Sequence, residues 1–276
     1  MPIVPTNETD LVDALGTVHE VASATARIVS LVPSITELLF DLGLATNVVG
    51  RTGFCIHPAE LVKRVPKVGG TKSIDIGRLK RLAPTHIIVN IDENPRAAVE
   101  ELARFVPHVI VTHPLAARDN TRLYRLLGRI FSREEAAHAL INCFERAYQQ
   151  TISAAAHWPR QKVLYLIWKA PWMTVSRDTY ISRMLEVVGW DTHTTRSEAR
   201  YPSVDLSPGL LSSLDAVLLS TEPYAFRERH VVEVMDQLPP GSHARVALID
   251  GSMTSWYGSR AIAGLEYLRN FRAGLA

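Results

Sequence analysis

The sequence predicts an α/β protein of two Rossmann-like lobes, each a parallel sheet covered by helices, joined by one long connector helix. Three observations carry that prediction. Short apolar runs alternate with helical patterns in two separate series. A single long helical stripe stands between the series. A weak internal echo also links the halves: Leu79-x-x-Leu82 before Ile87-Ile88-Val89 returns as Leu211-x-x-Leu214 before Val217-Leu218-Leu219. The expected division is 1–131 for the first lobe, 132–158 for the connector and 159–276 for the second lobe.

The first series begins after a short stretch in which Leu11-Val12 and the pair Val18 and Val21 flank Asp13-Ala14-Leu15-Gly16. Gly16 can supply a positive φ, so a small hairpin is expected there. Buried parallel strands are expected at 27–31, 47–50, 86–90 and 109–112, because each is a short apolar run with no period-two alternation. Ser34 followed by Glu37 reads as a capping box opening a helix. A second helix follows Asp75, with Ile76, Leu79 and Leu82 on one face and Pro84 as its stop. A third is expected over 95–105. Ser132 and Glu135 suggest another capping box, from which Ala137, Leu140, Ile141, Phe144, Tyr148 and Ile152 form one apolar stripe. About 25 residues at ~1.5 Å rise give roughly 38 Å, enough to cross a small domain. In the second series, strands are expected at 163–167, 216–220 and 246–250, and helices near 180–188, 226–237 and 259–272.

Composition excludes several function classes. The chain has 276 residues, 47% hydrophobic and 21% charged, and a formal charge of +2. These are the proportions of an ordinary globular protein. No basic stripe interleaved with aromatics suggests nucleic acid, and no apolar run approaches the ~20 residues of a membrane span. Cys55 and Cys143 are expected as free thiols, since no C-x-x-C pair occurs. The stretch before Arg27 has acidic residues and lacks a basic start with an apolar core, so no secretory signal is read. The expected location is cytoplasmic, or periplasmic if Met1 is an engineered or mature start.

In open α/β sheets, ligands bind beyond the carboxyl ends of the strands, so the residues that follow each strand are the candidates. Pro33 and Ser34 follow the first; Arg51, Thr52, Phe54, Cys55 and His57 the second; Asn90, Asp92, Glu93 and Asn94 the third. In the second series Trp168, Lys169, Pro171 and Trp172 follow one strand, and Glu222, Pro223 and Tyr224 the next. Asp250, Ser252, Trp256, Tyr257 and Arg260 follow the last. Three of the five tryptophans fall at these positions. Aromatic walls with a few polar groups suit an organic ligand of some size. Taken singly, a Trp after a strand is a rim or core residue, Ser34 a cap and His57 before Pro58 a turn residue. Their coincidence at one class of position in both halves is what points to a site.

Enzyme signals are poor: G-x-S-x-G, P-loop, G-x-G-x-x-G and H-E-x-x-H patterns are all missing. Gly69-Gly70 before Thr71-Lys72 has the look of a phosphate loop but does not lead from strand to helix in the required length. The histidines do not cluster at metal-ligand spacing, so no bare-ion site is expected. No catalytic residue and no cofactor are expected.

Asp13-Ala14-Leu15-Gly16, with Arg27-Ile28-Val29-Ser30-Leu31-Val32-Pro33-Ser34-Ile35-Thr36-Glu37, resembles the opening of the helical-backbone periplasmic binding proteins. That group serves ABC importers of vitamin B12, haem and iron–siderophore complexes. Val68-Gly69-Gly70-Thr71, the long connector, and the Pro171-Trp172 and Tyr201-Pro202 elements are similar to the same family, and the vitamin B12 branch is the nearest in style. By motif position, the resemblance implies ligand contacts on or beside Pro33, Ser34, Gly70, Thr71, Trp172, Tyr201 and the 250–257 loop. It implies a chelated-metal ligand held between the lobes. It also implies a permease partner, docked through one exposed glutamate on each lobe. Those positions fall on Gly77 and Ser207, with Asp75 and Asp205 two residues earlier. The sequence reading is therefore a binder of a corrinoid, or of haem or an iron–siderophore, with import as the inherited role. Its rivals are a cytoplasmic sensor or carrier, and an enzyme using Asp92, Glu93 or Asp250 as acid and base.

Overall fold

Each of the expected strands pairs in parallel with its neighbours, and a parallel ladder requires a crossover between every two strands. The computed structural model describes residues 8–195 and 198–275. It divides into two units. Unit 1 holds the described residues up to Pro114, then Arg118–Phe144 and Tyr257–Arg260. Unit 2 holds Leu115–Ala117, Glu145–Trp256 and the described residues from Ala261 onward.

In unit 1 the order along the chain is β1 (Ile28–Ser30), α1 (Pro33–Asp41), β2 (Val48–Arg51), α2 (Ala59–Val62), α3 (Ile76–Arg81), β3 (His86–Asn90), α4 (Arg96–Leu102), β4 (His108–Thr112) and α5 (Asp119–Ile130). Helix α6 (Glu134–Ala155) follows, and the division between units falls inside it, after Phe144. The remaining elements are β5 (Gln161–Leu166), α7 (Tyr180–Val187), β6 (Trp190–Thr192), α8 (Pro208–Ser212), β7 (Ala216–Ser220), α9 (Glu228–Met235), β8 (Arg245–Ile249), α10 (Gly251–Ser255) and α11 (Arg260–Gly274). The two sheets have the same topology, β2-β1-β3-β4 and β6-β5-β7-β8, and every pairing is parallel.

The central strands β3 and β7 are buried along their whole length, which is why their sequences read as unbroken apolar runs. Val29, Ile87, Val89, Leu79 and Leu102 anchor the core of unit 1. Leu164, Val217, Leu219, Leu211 and Phe226 anchor that of unit 2. Against unit 1 the N-terminal hairpin forms as expected, with Val12 bridged to Val18 and Gly16 at φ 83°. It covers the free edge of β4: Ala14 N donates to Val111 O at 2.9 Å. Asp13 is the staple. Its Oδ1 accepts from Leu15 N and Thr17 N, and its Oδ2 from Val111 N at 3.0 Å and lies 3.1 Å from His19 Nε2.

Both expected capping boxes are corrected. Helix α1 starts two residues early, with Val32 at the cap and Pro33 in the first turn, because proline carries the helical φ and lacks an N–H that would need a partner. Ser34 therefore lies inside the helix, and Glu37 pairs with Arg260 instead of reaching back. Ser132 ends α5 and does not begin α6. It holds φ 53° while Arg133 N donates to Gly128 O at 2.7 Å, the closing pattern of a helix that terminates in a left-handed residue. Helix α5 and strand β6 are not among the elements the sequence predicts, although Leu123, Leu127 and Ile130 carry the helical spacing. Among the described residues no helix is long and apolar enough to cross a membrane, and neither cysteine is in a disulfide.

Buried polar groups fix the strand ends. In unit 2, Tyr165 donates from the middle of the core to Ser220 Oγ and lies against Thr254 Oγ1. Arg272 is 1% exposed, its guanidinium 5.5 Å from the Trp158 ring and 5.7 Å from the Trp190 ring, and it donates to Pro159 O.

Two outcomes are expected. Burial by itself would raise the Asp13 pKa, but the hydrogen bonds from His19, Val111, Thr17 and Leu15 hold it below the ordinary 3.8. The stability this confers is complete above about pH 4 and is lost as pH falls through the lower folded value. Asp13→Ala should cost about 2–4 kcal/mol at pH 7, with the difference shrinking in urea melts below pH 4. A Cβ on Gly251 would stand 2.5 Å from Ser220 Oγ and 2.7 Å from Glu222 N. Gly251→Ala should therefore destabilise by about 1–3 kcal/mol, read as a lower midpoint in the same melts.

Candidate functional site

A sheet of order 2-1-3-4 reverses direction between its first and third strands, and the crevice beyond their carboxyl ends is where such folds bind ligands. In unit 1 those ends are the loops after β1 and β3. Asn94 ties them together: its Nδ2 donates to Leu31 O at 3.3 Å and Thr71 O at 2.9 Å, while its Oδ1 accepts from Asn90 N. Asn90 is itself buried, accepting from Asp92 N at 2.8 Å and donating to Thr112 Oγ1. Both asparagines build the loop.

Around this frame unit 1 collects Pro33, Ser34, Phe54, Gly70, Thr71, Glu93, Tyr257 and Arg260. Phe54 is 63% exposed and lies beside Gly70, where an added Cβ would meet its ring at 3.3 Å. Gly69, at φ 102°, would put a Cβ 2.3 Å from Ser73 O, so only glycine makes this turn. Arg51 holds the base of the Phe54 loop by donating to Val62 O, Thr52 O and Cys55 O. The segment after α10 supplies the rest. Tyr257 Oη donates to Glu93 Oε1 at 2.7 Å, and Gly258 N donates to Asn120 Oδ1 at 2.7 Å. Tyr124 Oη donates to Gly258 O at 2.8 Å, and Arg260 grips Glu37 through two bonds of 2.6 and 2.7 Å.

The carboxyl of Glu93 is turned inward and no basic group pairs with it among the described residues. Burial pushes its pKa up to about 7, the neighbouring Asp92 charge adds to the rise, and the Tyr257 hydroxyl opposes it. Tyr257 is pushed well above the usual phenol range, by burial first and then by the Glu93 charge. Ser34 lies by Tyr257, near enough to temper that rise, yet its buried Oγ has no partner in hydrogen-bond geometry.

The corresponding ends in unit 2 are those of β5 and β7, and they are aromatic. Trp168 is 41% exposed and meets the Tyr224 ring edge-on at 5.5 Å. Tyr224 packs on Phe226 at 4.6 Å, and Trp172 stacks on Phe226 at 5.9 Å and 8°. Trp172 is thus half-buried against the core, with Lys169 Nζ 5.5 Å from its ring centroid. Tyr201 is exposed. Trp256 Nε1 donates to Glu222 Oε2 at 3.0 Å. The Asp250 carboxylate is engaged as the cap of α10, accepting from Ser252 N, Ser252 Oγ and Met253 N. Phe226 and His230, which back the Tyr224 ring, are site supports that the sequence reading does not pick out. Nothing in their spacing marks them, since they are ordinary residues of a strand-to-helix segment. The pairing of Glu93 with Tyr257, 164 positions apart, also has no local signal.

Among the described residues no group of three His, Cys, Asp or Glu side chains could hold a metal ion. Unit 2 by itself can stack a flat or bulky organic surface on its rings, and unit 1 by itself can offer hydrogen bonds from its strand-end loops.

Over 206 residues the chain is 24% identical to the vitamin B12-binding protein of Photorhabdus laumondii subsp. laumondii, a match covering 73% of each chain. Among solved structures, the periplasmic vitamin B12 binding protein BtuF of Vibrio cholerae gives a TM-score of 0.73 at 17% identity, covering 90% of this chain and 97% of that one. The periplasmic heme-binding protein RhuT from Roseiflexus sp. RS-1, in its apo form, gives 0.75 at 20% identity, covering 91% and 98%. At such identities these structures speak for the fold alone. Residues 28–229 match the family described as Periplasmic binding protein, well over half of the chain, and this protein belongs to that family.

Proposed function

We propose that this chain binds a metal chelate at strand-end loops, as a homologue of ABC-importer substrate-binding proteins. A corrinoid is the first candidate; haem and an iron–siderophore complex are the others. The observation that carries this reading is the exposed Trp168 edge against Tyr224 at the β5 and β7 ends, with Tyr201 exposed on the same unit. An aromatic surface left in water at the position where α/β sheets take ligands favours a large, partly apolar partner. The vitamin B12-binding and heme-binding relatives support a ligand of this class. On this reading the chain works in the periplasm and catalyses nothing. Asp250 supports that view, since a carboxylate accepting three hydrogen bonds as a helix cap is poorly placed as an acid or base.

A second reading, a binder that is not coupled to a permease, is favoured by Gly77 and Ser207. Gly77 offers no side chain, and Ser207 is the cap of α8, accepting from Leu210 N at 3.4 Å. Asp75 is similarly the cap of α3, accepting from Arg78 N at 2.8 Å. That leaves Asp205 as the carboxylate not used in capping. A cytoplasmic setting goes with this reading.

Titration of the protein with cyanocobalamin and with haemin, followed by absorbance, tests the ligand. Loss of a stacking ring removes about 0.5–1.5 kcal/mol, so Trp168→Ala should weaken binding by about two- to tenfold with an unchanged thermal midpoint. Equal affinity of the variant for every chelate that binds would remove Trp168 from the site. For coupling, co-purification with the host permease should be weak and should strengthen in the Gly77→Glu, Ser207→Glu double variant. Tight association of the unmodified chain, abolished by Asp75→Ala with Asp205→Ala, would restore the importer role.

A further inference from the structure

Glu93 is the least explained polar group at the carboxyl ends of β1 and β3. Its Oε1 accepts from Tyr257 Oη, and its Oε2 has no partner among the described residues and is not enclosed. Behind Tyr257 stands the hydroxyl of Ser34, 3% exposed and unpartnered. A Ser34 hydroxyl turned toward Tyr257 Oη can donate to it while Tyr257 donates to Glu93. That is a short hydroxyl relay ending on a carboxyl oxygen at the ligand-binding edge.

The charges around Glu93 make it a poor site for a second negative charge. From its own loop it faces Asp92, which lies 3.5 Å from His113 Nε2 beyond β4. From the segment after α10 it faces Tyr257. Farther along α1 and along that segment, Glu37 and Arg260 neutralise one another. Among the described residues no cation pairs with Glu93, so its protonated form is favoured below about pH 7.

We propose that Glu93 is a proton-linked ligand contact: its neutral carboxyl, held by Tyr257 with Ser34 behind, donates through Oε2 to a carbonyl or carboxylate oxygen on the ligand. A protonated carboxyl donates one hydrogen bond; an ionised one can only accept and would repel such an oxygen. The ligand chemistry this subsite takes is therefore an acceptor oxygen, such as a side-chain amide or carboxyl group on a chelate. Tyr257 and Ser34 are positioning residues. The inference rests on the chelate-binding reading above, and it adds a sign to the pH dependence. The elevated Glu93 value of about 7 supports it.

The test is the affinity for cyanocobalamin, or for haemin if only that binds, measured from pH 5.5 to 8.5. Affinity should be level at the acid end and fall above pH 7, approaching about tenfold per pH unit for one linked proton. Glu93→Gln, whose amide can accept from Tyr257 and still donate to the ligand, should bind at pH 6 within about a few-fold of wild type and show no pH dependence. Tyr257→Phe removes the bond that favours ionisation, so its fall should begin at higher pH. An affinity that rises with pH, a level wild-type profile, or an unchanged profile in Glu93→Gln would overturn the proposal while leaving the chelate reading intact. Binding of neither probe at any pH would defeat the chelate reading and this subsite with it. Melting without ligand gives a separate check. A carboxyl near 7 in the fold and 4.5 outside it loses stability for the protein as pH rises through that interval. Glu93→Gln should therefore gain in midpoint relative to wild type between pH 5 and 8. A constant difference would show that the carboxyl ionises normally and would sink the proposal.

Discussion

Parallel pairing is the constraint from which the rest of this structure follows. A parallel strand cannot be reached by a tight turn, so each ladder step costs a crossover, and the crossovers lay helices over both faces of the sheet. What remains uncovered is the pair of strand edges, and in unit 1 the outer one, β4, is closed by the Asp13 hairpin. The carboxyl ends of the strands are then the place where polar and aromatic side chains can gather without interrupting a core. Both units obey the same order of strands, so both present a reversal point between their first and third strands.

The two reversal points are furnished differently. Unit 1 uses amides, hydroxyls and carboxyls: Asn94 fixes three backbone segments, Arg51 fixes the Phe54 loop, and the Tyr257–Arg260 segment is secured by four polar contacts with Glu93, Asn120, Tyr124 and Glu37. Unit 2 uses rings, with Trp168, Tyr224, Phe226 and Trp172 in one continuous contact chain. Directional bonds in unit 1 and dispersive surface in unit 2 are different kinds of recognition surface. Where buried polar atoms are satisfied they make framework, as with Tyr165 and Asp250. Where one is not, as with the Ser34 hydroxyl, it is left without a partner at the strand end.

Fold class, every strand position but that of β6 and most helices were legible from the order of residues, because each depends on a pattern within a dozen neighbours. Unbroken apolar runs at 86–90 and 216–220 mark strands buried on both faces, and Asp75 marks a helix start that forms as read. The opening motif at 27–37 similarly led to the family, because Pro33 and its neighbours hold a strand-to-helix turn in a short compass. Two local readings failed for a local reason: Ser34 and Ser132 look like caps, but proline and a left-handed residue set the helix ends first.

The sequence by itself determined which residues stand at strand ends, since strand length and side-chain periodicity are short-range properties. Only the tertiary structure decided what each of them does there. Asn90 and Asp250 became framework, Trp172 packed on Phe226, and Glu93 met Tyr257 from a segment 164 positions away. Burial, the fate of a hydrogen-bonding group and the resulting pKa depend on partners brought together across the chain, and no local pattern encodes a partner at that distance.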